Sequence, residues 1–389
     1  MNPLIETLPV LILYPHSRCN CRCLMCDIWK DSTQAEISTE ELERHLDDLQ
    51  RLHVKWIVLS GGEPLMHSDL FRFCALLRKS RIRITLLSTG LLLERKAAQL
   101  IESVDEIIVS LDGPELIHDR IRRITGAFAI LSRGIRHIRQ LRPGFPLSAR
   151  STVQRDNFFC LRETAQAAKN MGLDSISFLA ADVTSQAFNR PQPWEPVRQD
   201  QIALTESQIP LLEKELEALA EEWSGTGFVL ENLEKLRRIS LHYRAHLQLA
   251  EPVAPRCNAP WVSAVVEADG TVRPCFFHAP IGQLKNSGLF HVLNSPEALE
   301  FRRRLDVATN PVCRRCVCSF YREPPGRTAT TVTKLLHSRD NSDPPPALSS
   351  SQLATSSPSF EAEPGAAGNI DRIPAAPAIR SLPFPNSLP

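Results

Sequence analysis

Three cysteines near the start of the chain have the spacing of an iron–sulfur ligand set. Cys19, Cys23 and Cys26 form a C-x3-C-x2-C pattern within one short segment, and no fourth cysteine of that segment extends the pattern. A [4Fe–4S] cluster normally takes four thiolates, so three protein ligands leave one iron open. An open coordination position is where a metal centre does chemistry as well as holding a fold together. The segment therefore predicts a reactive cluster.

Other interpretations of this segment remain open. Cys21 with Cys23 and Cys26 gives a second possible set, C-x-C-x2-C, although the wider spacing favours Cys19 and leaves Cys21 as a bystander. A zinc knuckle needs paired Cys or His residues at both ends, and the following residues offer only the isolated His45. Disulfides are disfavoured because the chain has the features of a cytosolic protein.

The secondary-structure elements that must position these thiols alternate regularly between predicted strands and predicted helices. Short apolar segments alternate with amphipathic helical segments, and Ser38 with Glu41 predicts a capping box at the first helix. The predicted strands are Val10–Tyr14, Trp56–Ser60, Ile82–Ser88, Glu106–Leu111, Leu147–Val153 and Ser175–Leu179. Such alternation predicts parallel strands with crossover helices, here six units of a partial (β/α)6 TIM-type barrel. Functional residues of parallel barrels gather at the carboxyl ends of the strands.

Two motifs fall at such strand ends. Gly61-Gly62-Glu63-Pro64 ends the second strand, and Ser110-Leu111-Asp112-Gly113 ends the fourth. His118-Asp119, Arg122 and Gly126-Ala127-Phe128 follow the fourth strand. With the C-x3-C-x2-C loop, the first motif resembles the radical S-adenosylmethionine (SAM) superfamily. The second, read as S-L-D-G…H-D…R…G-x-F, resembles the branch of that superfamily that carries auxiliary clusters.

This resemblance implies roles for several residues. It implies that the open iron binds SAM and that the segment after the second strand takes the amino group of the cofactor. We expect cofactor contacts from Gly61, Gly62, Glu63, Pro64, Ser110, Asp112 and Arg150. Ser110 and Asp112 are candidates for the cofactor's carboxylate or ribose hydroxyls. Arg150 is either a bidentate clamp on the carboxylate or a solvated arginine at the barrel end. His118 and Asp119 are expected to cap and pair locally rather than to do chemistry.

A second cysteine set lies near residue 300. Cys257 and Cys275 enclose a predicted hairpin turn at Asp269-Gly270, and Cys313, Cys316 and Cys318 follow. This arrangement resembles the shortened SPASM module, or twitch domain, which holds one auxiliary iron–sulfur cluster. The resemblance implies the ligands Cys257, Cys275, Cys313 and Cys316, with Cys318 able to replace either of the last two. The alternative is a zinc ribbon, which the wide separation of the first pair fits poorly.

The predicted organisation has four parts. We expect a barrel core over 1–180, a helical connector over 181–250, an auxiliary-cluster domain over 251–323 and a disordered tail over 324–389, rich in proline, serine and alanine. The connector is expected to contain two amphipathic helices, Thr205–Trp223 and Val229–Gln248, with leucine stripes packed on the barrel.

Composition narrows the function further. The 389 residues carry a net charge of +1, which gives no electrostatic case for nucleic acid or an anionic membrane. No basic signal segment precedes the first strand, and no apolar run approaches the roughly 20 residues that span a bilayer. Eleven cysteines without an export signal indicate a reducing compartment. We therefore expect a cytoplasmic protein.

The resemblance predicts an enzyme with two [4Fe–4S] clusters. It would reductively cleave SAM to a 5′-deoxyadenosyl radical, which abstracts hydrogen from a peptide or a small-molecule intermediate of cofactor biosynthesis. The auxiliary cluster would transfer electrons, and flavodoxin or ferredoxin would supply the reducing electron. The alternatives are a non-catalytic iron–sulfur redox or sensor protein and a zinc-stabilised binding module.

Overall fold

The computed structural model describes residues 1–190, 192–284 and 287–323. Within these ranges the chain forms a mixed α/β fold around one nine-stranded sheet, in the order β6-β5-β4-β3-β2-β1-β7-β8-β9. The strands are β1 Val10–Leu13, β2 Trp56–Leu59, β3 Arg83–Ser88, β4 Glu106–Ser110, β5 Leu147–Val153, β6 Ser175–Ala180, β7 Ser263–Val266, β8 Thr271–Arg273 and β9 Gly282–Gln283. Strands β1 to β6 and β7 pair in parallel, which confirms the partial barrel. The predicted tail lies outside the described residues.

Helices cover the outside of this curved sheet. The helices are α1 Thr39–Arg51, α2 Leu70–Lys79, α3 Leu93–Ser103, α4 Glu115–Arg122, α5 Ala127–Leu141, α6 Leu161–Asn170, α7 Pro196–Ile202, α8 Ile209–Glu222, α9 Leu233–His246, α10 Ala259–Val262, α11 Leu289–Leu293, α12 Pro296–Arg304 and α13 Pro311–Arg314. The predicted capping box is present at α1, where the Ser38 side chain accepts from the Glu41 amide and the Glu41 carboxylate accepts from the Ser38 amide. No helix in the described ranges is long and apolar enough to cross a membrane.

Alternation along the strands creates a lumen. Residues facing the helices, such as Leu59, Leu86 and Val109, are completely buried. Their neighbours on the inner face, such as Val58 and Leu87, are only partly buried. Because successive strand residues point to opposite faces, this pattern means that the inner face of the barrel lines an accessible space. The strands therefore surround the lumen, and their carboxyl ends form its rim.

The two edges of the six-stranded part are both covered. On one side β7 pairs in parallel with β1, with Val10 opposite Ser263, so the sheet runs on into the cysteine-rich region. The predicted turn at Asp269-Gly270 is confirmed, because β7 and β8 form an antiparallel hairpin. On the other side, the backbone of Ile176 in β6 bonds to Phe228 and Leu230. Edge strands need such partners because their free amides and carbonyls otherwise invite aggregation.

The connector differs from its prediction at two places. The second helix begins at Leu233, not at Val229, because Val229 forms a bridge with Ile176 and the Asn232 side chain caps the helix at the Lys235 amide. Most of the leucine stripe is buried, but Leu211 and Leu241 are 58% and 42% exposed. Each of these two residues is next in sequence to a residue of the buried face, and a step of one residue rotates the side chain around the helix axis toward solvent.

Candidate functional site

The cysteine loop is closed at its base by backbone pairing between the residues on either side of it. His16 and Glu36 form an antiparallel bridge, and the Ser17 amide donates to the Ala35 carbonyl at 2.9 Å. Near the far end of the loop, the Trp29 indole nitrogen donates to the Cys26 carbonyl at 2.8 Å. These contacts fix a loop that contains little regular secondary structure of its own.

The glycine pair after β2 lies directly against this loop. A Cβ atom at Gly62 would stand 2.0 Å from the Arg18 carbonyl oxygen, and the Glu63 amide donates to that same oxygen at 2.8 Å. Gly61 has φ of +93° and is packed against the Tyr14 ring. Glycine is needed at both places because a side chain would collide with backbone or ring atoms. The carbonyls of Gly61 and Gly62 accept no hydrogen bond from the described residues, and so they remain available to a ligand.

The Glu63 carboxylate lies at the centre of a buried hydrogen-bond network, and its contact with the cofactor remains a prediction. It is completely buried, and it accepts from the Thr89 amide at 2.6 Å, from both hydroxyls of Ser88 and Thr89, and from the Leu65 amide. Burial raises the pKa of this carboxyl group, while these four donors oppose that shift. The side chain thus ties the end of β2 to the end of β3. Pro64, also buried, starts the 3₁₀ turn Pro64–Met66.

The three predicted cluster ligands occupy neighbouring positions. Burial raises the pKa of Cys19 and of Cys26 to about 12, and the nearby Cys23 thiolate adds to both shifts. Cys23 itself is shifted the other way: a hydrogen bond with the Cys21 thiol and the charge of Arg122 lower its pKa. The Arg122 guanidinium donates to the Cys23 sulfur at 3.4 Å. Cys23 is thus already biased toward the thiolate form that ligates iron.

Arg122 belongs to a buried network with Asp112. Its second guanidinium nitrogen lies 2.5 Å from the Asp112 carboxylate, whose other oxygen accepts from the Thr152 amide at 2.8 Å. His118 accepts from the Asp112 amide at 3.2 Å, and burial next to Arg122 lowers its pKa to about 3. Asp112 is fully buried and Ser110 on β4 is partly exposed, and the cofactor contacts of both residues remain predictions.

We expect a large loss of stability when this ion pair is broken on one side only. Arg122→Met would leave the Asp112 carboxylate buried without its counter-charge, which costs about 3–5 kcal/mol in comparable pairs. The measurement is urea denaturation of the apoprotein under anaerobic reducing conditions. Arg133→Met removes the exposed pair with Glu94 and should cost less than about 1 kcal/mol. Equal midpoints for the two variants would contradict the assigned burial of the Arg122 pair.

Arg150 lies inside the lumen. Its Nε donates to the Ser177 hydroxyl at 3.2 Å, and both residues line a cavity of about 10 Å³, room for roughly one water molecule. Glu231 is close enough for the Arg150 charge to influence it, and burial raises the pKa of that carboxyl group to about 7. The Glu231 carboxylate also accepts from the Phe178 amide at 3.0 Å. The clamp on a cofactor carboxylate remains a prediction.

The second cysteine set converges around β8 and α13. The Cys313 sulfur lies 3.3 Å from the Nε2 atom of the His278 ring. Burial raises the pKa of Cys313 to about 12 and that of Cys275 to about 11, and the Cys257 thiol adds to both shifts. Burial also raises the pKa of Cys316, and the nearby Cys318, Cys275 and Cys257 thiols add to that shift. Four thiols separated by as many as 59 positions in the chain therefore share one environment.

Cys318 lies in the same neighbourhood as the other cysteines of this set. Its carbonyl accepts from the Cys316 thiol at 2.7 Å. Burial raises the pKa of its own thiol to about 11; the charge of Arg150 opposes that shift, and Asp182 and Cys257 add to it. Cys318 in turn adds to the upward pKa shifts of Cys275 and Cys316. The choice of four ligands among Cys257, Cys275, Cys313, Cys316 and Cys318 therefore remains a prediction.

Both donor sets fit iron–sulfur clusters. All the candidate ligands are thiols, the side chains that such clusters take, and in the first set one of them is favoured as a thiolate by its neighbours. Across the described ranges, no three Cys, His, Asp or Glu side chains converge on a single point. A cluster bonds its thiolates to different iron atoms, so its ligands do not have to share one point.

Family comparison agrees with this geometry. Residues 13–168 match the Radical SAM superfamily, and residues 257–317 match SPASM, the iron–sulfur cluster-binding domain. The protein belongs to the radical SAM superfamily. Its radical SAM segment contains the first cysteine loop, and its SPASM segment contains Cys257, Cys275, Cys313 and Cys316. Membership implies a SAM-binding [4Fe–4S] cluster, SAM itself and an auxiliary cluster.

Individual relatives differ in what they do. Fe-coproporphyrin III synthase of Methanosarcina barkeri is 33% identical over 153 residues, 38% of this radical SAM protein and 38% of that one. The subtilosin biosynthesis protein AlbA of Bacillus subtilis is 22% identical over 301 residues, 73% of this chain and 61% of that one. Streptococcus suis SuiB bound to S-adenosylmethionine has the same fold, with a TM-score of 0.58 at 11% identity, covering 82% and 74% of the two chains. The first of these matches spans well under half of its relative.

Sequence reasoning missed several residues that hold the radical SAM site together. His16 contacts the Glu63 carbonyl at 2.6 Å, and Trp194 donates to the Asp27 carboxylate at 2.7 Å. From the sequence, Arg122 was recognised only as the arginine of the S-L-D-G…H-D…R…G-x-F pattern, without its contacts. The position of His16, three residues before the first ligand, was the one available signal for its role. His118 and Asp119 act locally, as expected: the Asp119 carboxylate accepts from the amides at the start of α5.

Proposed function

We propose that this protein is an enzyme that reductively cleaves SAM and abstracts hydrogen from a substrate bound at the barrel rim. The observation that carries the proposal is the contact between the cysteine loop and the glycine pair. It holds Arg18, the residue before Cys19, against Gly62 and Glu63, next to two backbone carbonyls that accept no hydrogen bond from the described residues. A loop that only held a redox cluster would have no need of that acceptor pair.

Each part of the site has a task in this reaction. When bound, the cluster supplies the electron that splits SAM into methionine and a 5′-deoxyadenosyl radical. The carbonyls of Gly61 and Gly62 accept hydrogen bonds from the cofactor ammonium, and Arg150 pairs with its carboxylate. Ser110 reaches the ribose. The barrel walls and the auxiliary hairpin exclude water from the radical.

The auxiliary region closes one side of the rim. Phe276, which follows Cys275, packs against Tyr14 at 6.3 Å between ring centroids and against Phe188 at 6.5 Å. Phe188 adopts φ of +60°, a strained conformation for an aromatic residue, and strain of this kind gathers at functional sites. These rings form an apolar wall beside the place where substrate must lie. The substrate is a peptide or a small-molecule intermediate of cofactor biosynthesis, the two classes named among the relatives.

The proposed activity is tested by anaerobic reconstitution. Iron and sulfide are counted per chain, and 5′-deoxyadenosine is measured after addition of SAM and dithionite. We expect about eight irons per chain and slow cleavage in the absence of substrate. About four irons without cleavage would instead indicate a redox or sensor protein. Bound zinc in place of iron would indicate a binding module.

The auxiliary cluster has its own test. Cys257→Ala removes one of its four ligands, so iron should fall to about half while cleavage of SAM persists. Cys74→Ala is the matched control, because Cys74 is completely buried in α2, far along the chain from either ligand set. The control should retain all of its iron. Unchanged iron in Cys257→Ala would contradict the assignment of this residue.

A further inference from the structure

The outer surface of the cysteine loop carries four positive side chains around one tryptophan. Trp29 is partly exposed, with the Arg22 guanidinium 5.9 Å and the Lys30 ammonium 5.6 Å from its ring centroid. The Arg22 amide donates to the Arg122 carbonyl, which places the exposed Arg123 beside Arg22. We call the group formed by Arg22, Lys30, Arg123 and Arg198 the cationic face.

Arg198 joins this group from the connector. Its guanidinium donates to the Leu24 carbonyl, and the charge of Arg123 is one of the influences that lower its pKa after burial. The charges of Arg198 and Arg123 are therefore close enough to repel each other. Like charges held together in this way cost stability, and a surface that keeps them presents a concentrated positive field.

One buried carboxylate, that of Asp27, offsets part of that field, because it pairs with Lys30 and its charge also acts on Arg198. Asp27 is buried between the Lys30 ammonium at 2.8 Å and the Trp194 indole at 2.7 Å. Asp119 accepts from the amides at the start of α5 and Asp31 from the Thr33 amide at 2.8 Å; both keep their negative charge, but neither pairs with a cation of this face. Arg22 and Arg123 make no ion pair with the described residues. The uncompensated positive charge of the cationic face is therefore carried mainly by Arg22 and Arg123, on a protein whose net charge is only +1.

The position of the cationic face ties it to the predicted cluster. Trp29, at its centre, donates to the carbonyl of the ligand Cys26 at 2.8 Å. On the inner side of the loop, the glycine pair and the aromatic wall of Tyr14, Phe188 and Phe276 occupy the approach. An external protein can therefore come close to the cluster from the outer side of the loop, where the cationic face lies.

We propose that the cationic face is the docking site of a small acidic one-electron carrier of the flavodoxin or ferredoxin class. One electron leaves the reduced carrier, which is thereby oxidised, and enters the cluster held by Cys19, Cys23 and Cys26, which is thereby reduced. Electron-transfer complexes are small and transient, and complementary charge raises their association rate more than their affinity. The inference rests on the proposed function, and it assigns the carrier a specific surface.

The experiment compares two routes of reduction in the reconstituted enzyme. The test variant is Arg22→Glu with Arg123→Glu, and the control is Arg136→Glu with Lys169→Glu, two exposed positions on α5 and α6. Each variant changes the net charge by the same amount. Formation of 5′-deoxyadenosine is measured with dithionite and with a reduced acidic flavodoxin, and flavodoxin binding is titrated at low and high salt.

We expect the test variant to lose about tenfold in flavodoxin-driven rate and in flavodoxin binding at low salt. Its dithionite-driven rate should equal that of the wild type, and the control should resemble the wild type in every assay. Raising the salt should slow the wild type toward the test variant, because screening removes the attraction. Equal losses in test and control variants would overturn the inference. So would a rate with flavodoxin that does not depend on salt.

The design separates this inference from the proposed function. If the wild type forms no 5′-deoxyadenosine with dithionite, the proposed function fails whatever the carrier does. If the wild type is active with dithionite and the test variant loses nothing with flavodoxin, only the docking site is wrong. A loss with dithionite confined to the test variant would show that Arg22 and Arg123 maintain the loop itself, which also overturns the inference.

Discussion

Replacing Gly62 by alanine should eliminate the SAM-cleaving activity. The new Cβ would lie 2.0 Å from the Arg18 carbonyl oxygen and 2.6 Å from the carbon of that carbonyl, and neither backbone atom can move without moving the cysteine loop. The loop must then separate from the end of β2 and lose the 2.8 Å hydrogen bond between Glu63 and Arg18. We expect the iron of the first cluster to be lost, with about four irons remaining in the auxiliary site.

The control for Gly62→Ala is Gly144→Ala. Gly144 has no positive φ, and a Cβ there meets no atom within 4 Å, so its substitution should change neither iron nor activity. Iron analysis and 5′-deoxyadenosine formation are measured on both variants, with thermal unfolding to check that each is folded. Full iron and normal cleavage in Gly62→Ala would show that the two loops do not make this contact in the working enzyme.

The fold was predictable because its pattern is local. Six apolar segments ending in polar or glycine-rich turns gave the barrel strands to within about one residue, since strand length and burial are written directly in the sequence. The pairing of β7 with β1 was not predictable. Ser263–Val266 is only four residues long, and nothing in those residues states which edge they meet. That pairing is decided by the open edge of β1, a property of the assembled barrel.

The residues of the candidate site were predictable from the sequence, but the contacts between them were not. Motif spacing identified the cysteines and the glycine pair, but it could not show that the Glu63 carboxylate turns toward Ser88 and Thr89. The pairing of Arg122 with Asp112 depends on how α4 returns toward the cysteine loop, where its last residues bond to Arg22 and Leu24. Such contacts depend on tertiary geometry, which a spacing pattern does not contain.

The pair Cys19→Ala and Cys21→Ala should behave in opposite ways. The neighbours that raise the pKa of Cys26 include Cys23 and Cys19, which places these three thiols in one group. Cys21 is almost completely buried and shares a hydrogen bond with Cys23. We therefore expect Cys19→Ala, like Cys23→Ala, to lose the first cluster and all cleavage of SAM. We expect Cys21→Ala to keep both, with about eight irons per chain.

Two readouts make this comparison decisive. Electron paramagnetic resonance of the dithionite-reduced protein, with and without SAM, reports whether the first cluster is present and binds the cofactor. Formation of 5′-deoxyadenosine reports whether that cluster is reactive. Loss of both signals in Cys21→Ala and their survival in Cys19→Ala would establish the C-x-C-x2-C set instead. The hydrogen bond from Cys21 would then have to be a contact of the apoprotein that is broken when iron enters, because a ligating thiolate has no proton to donate.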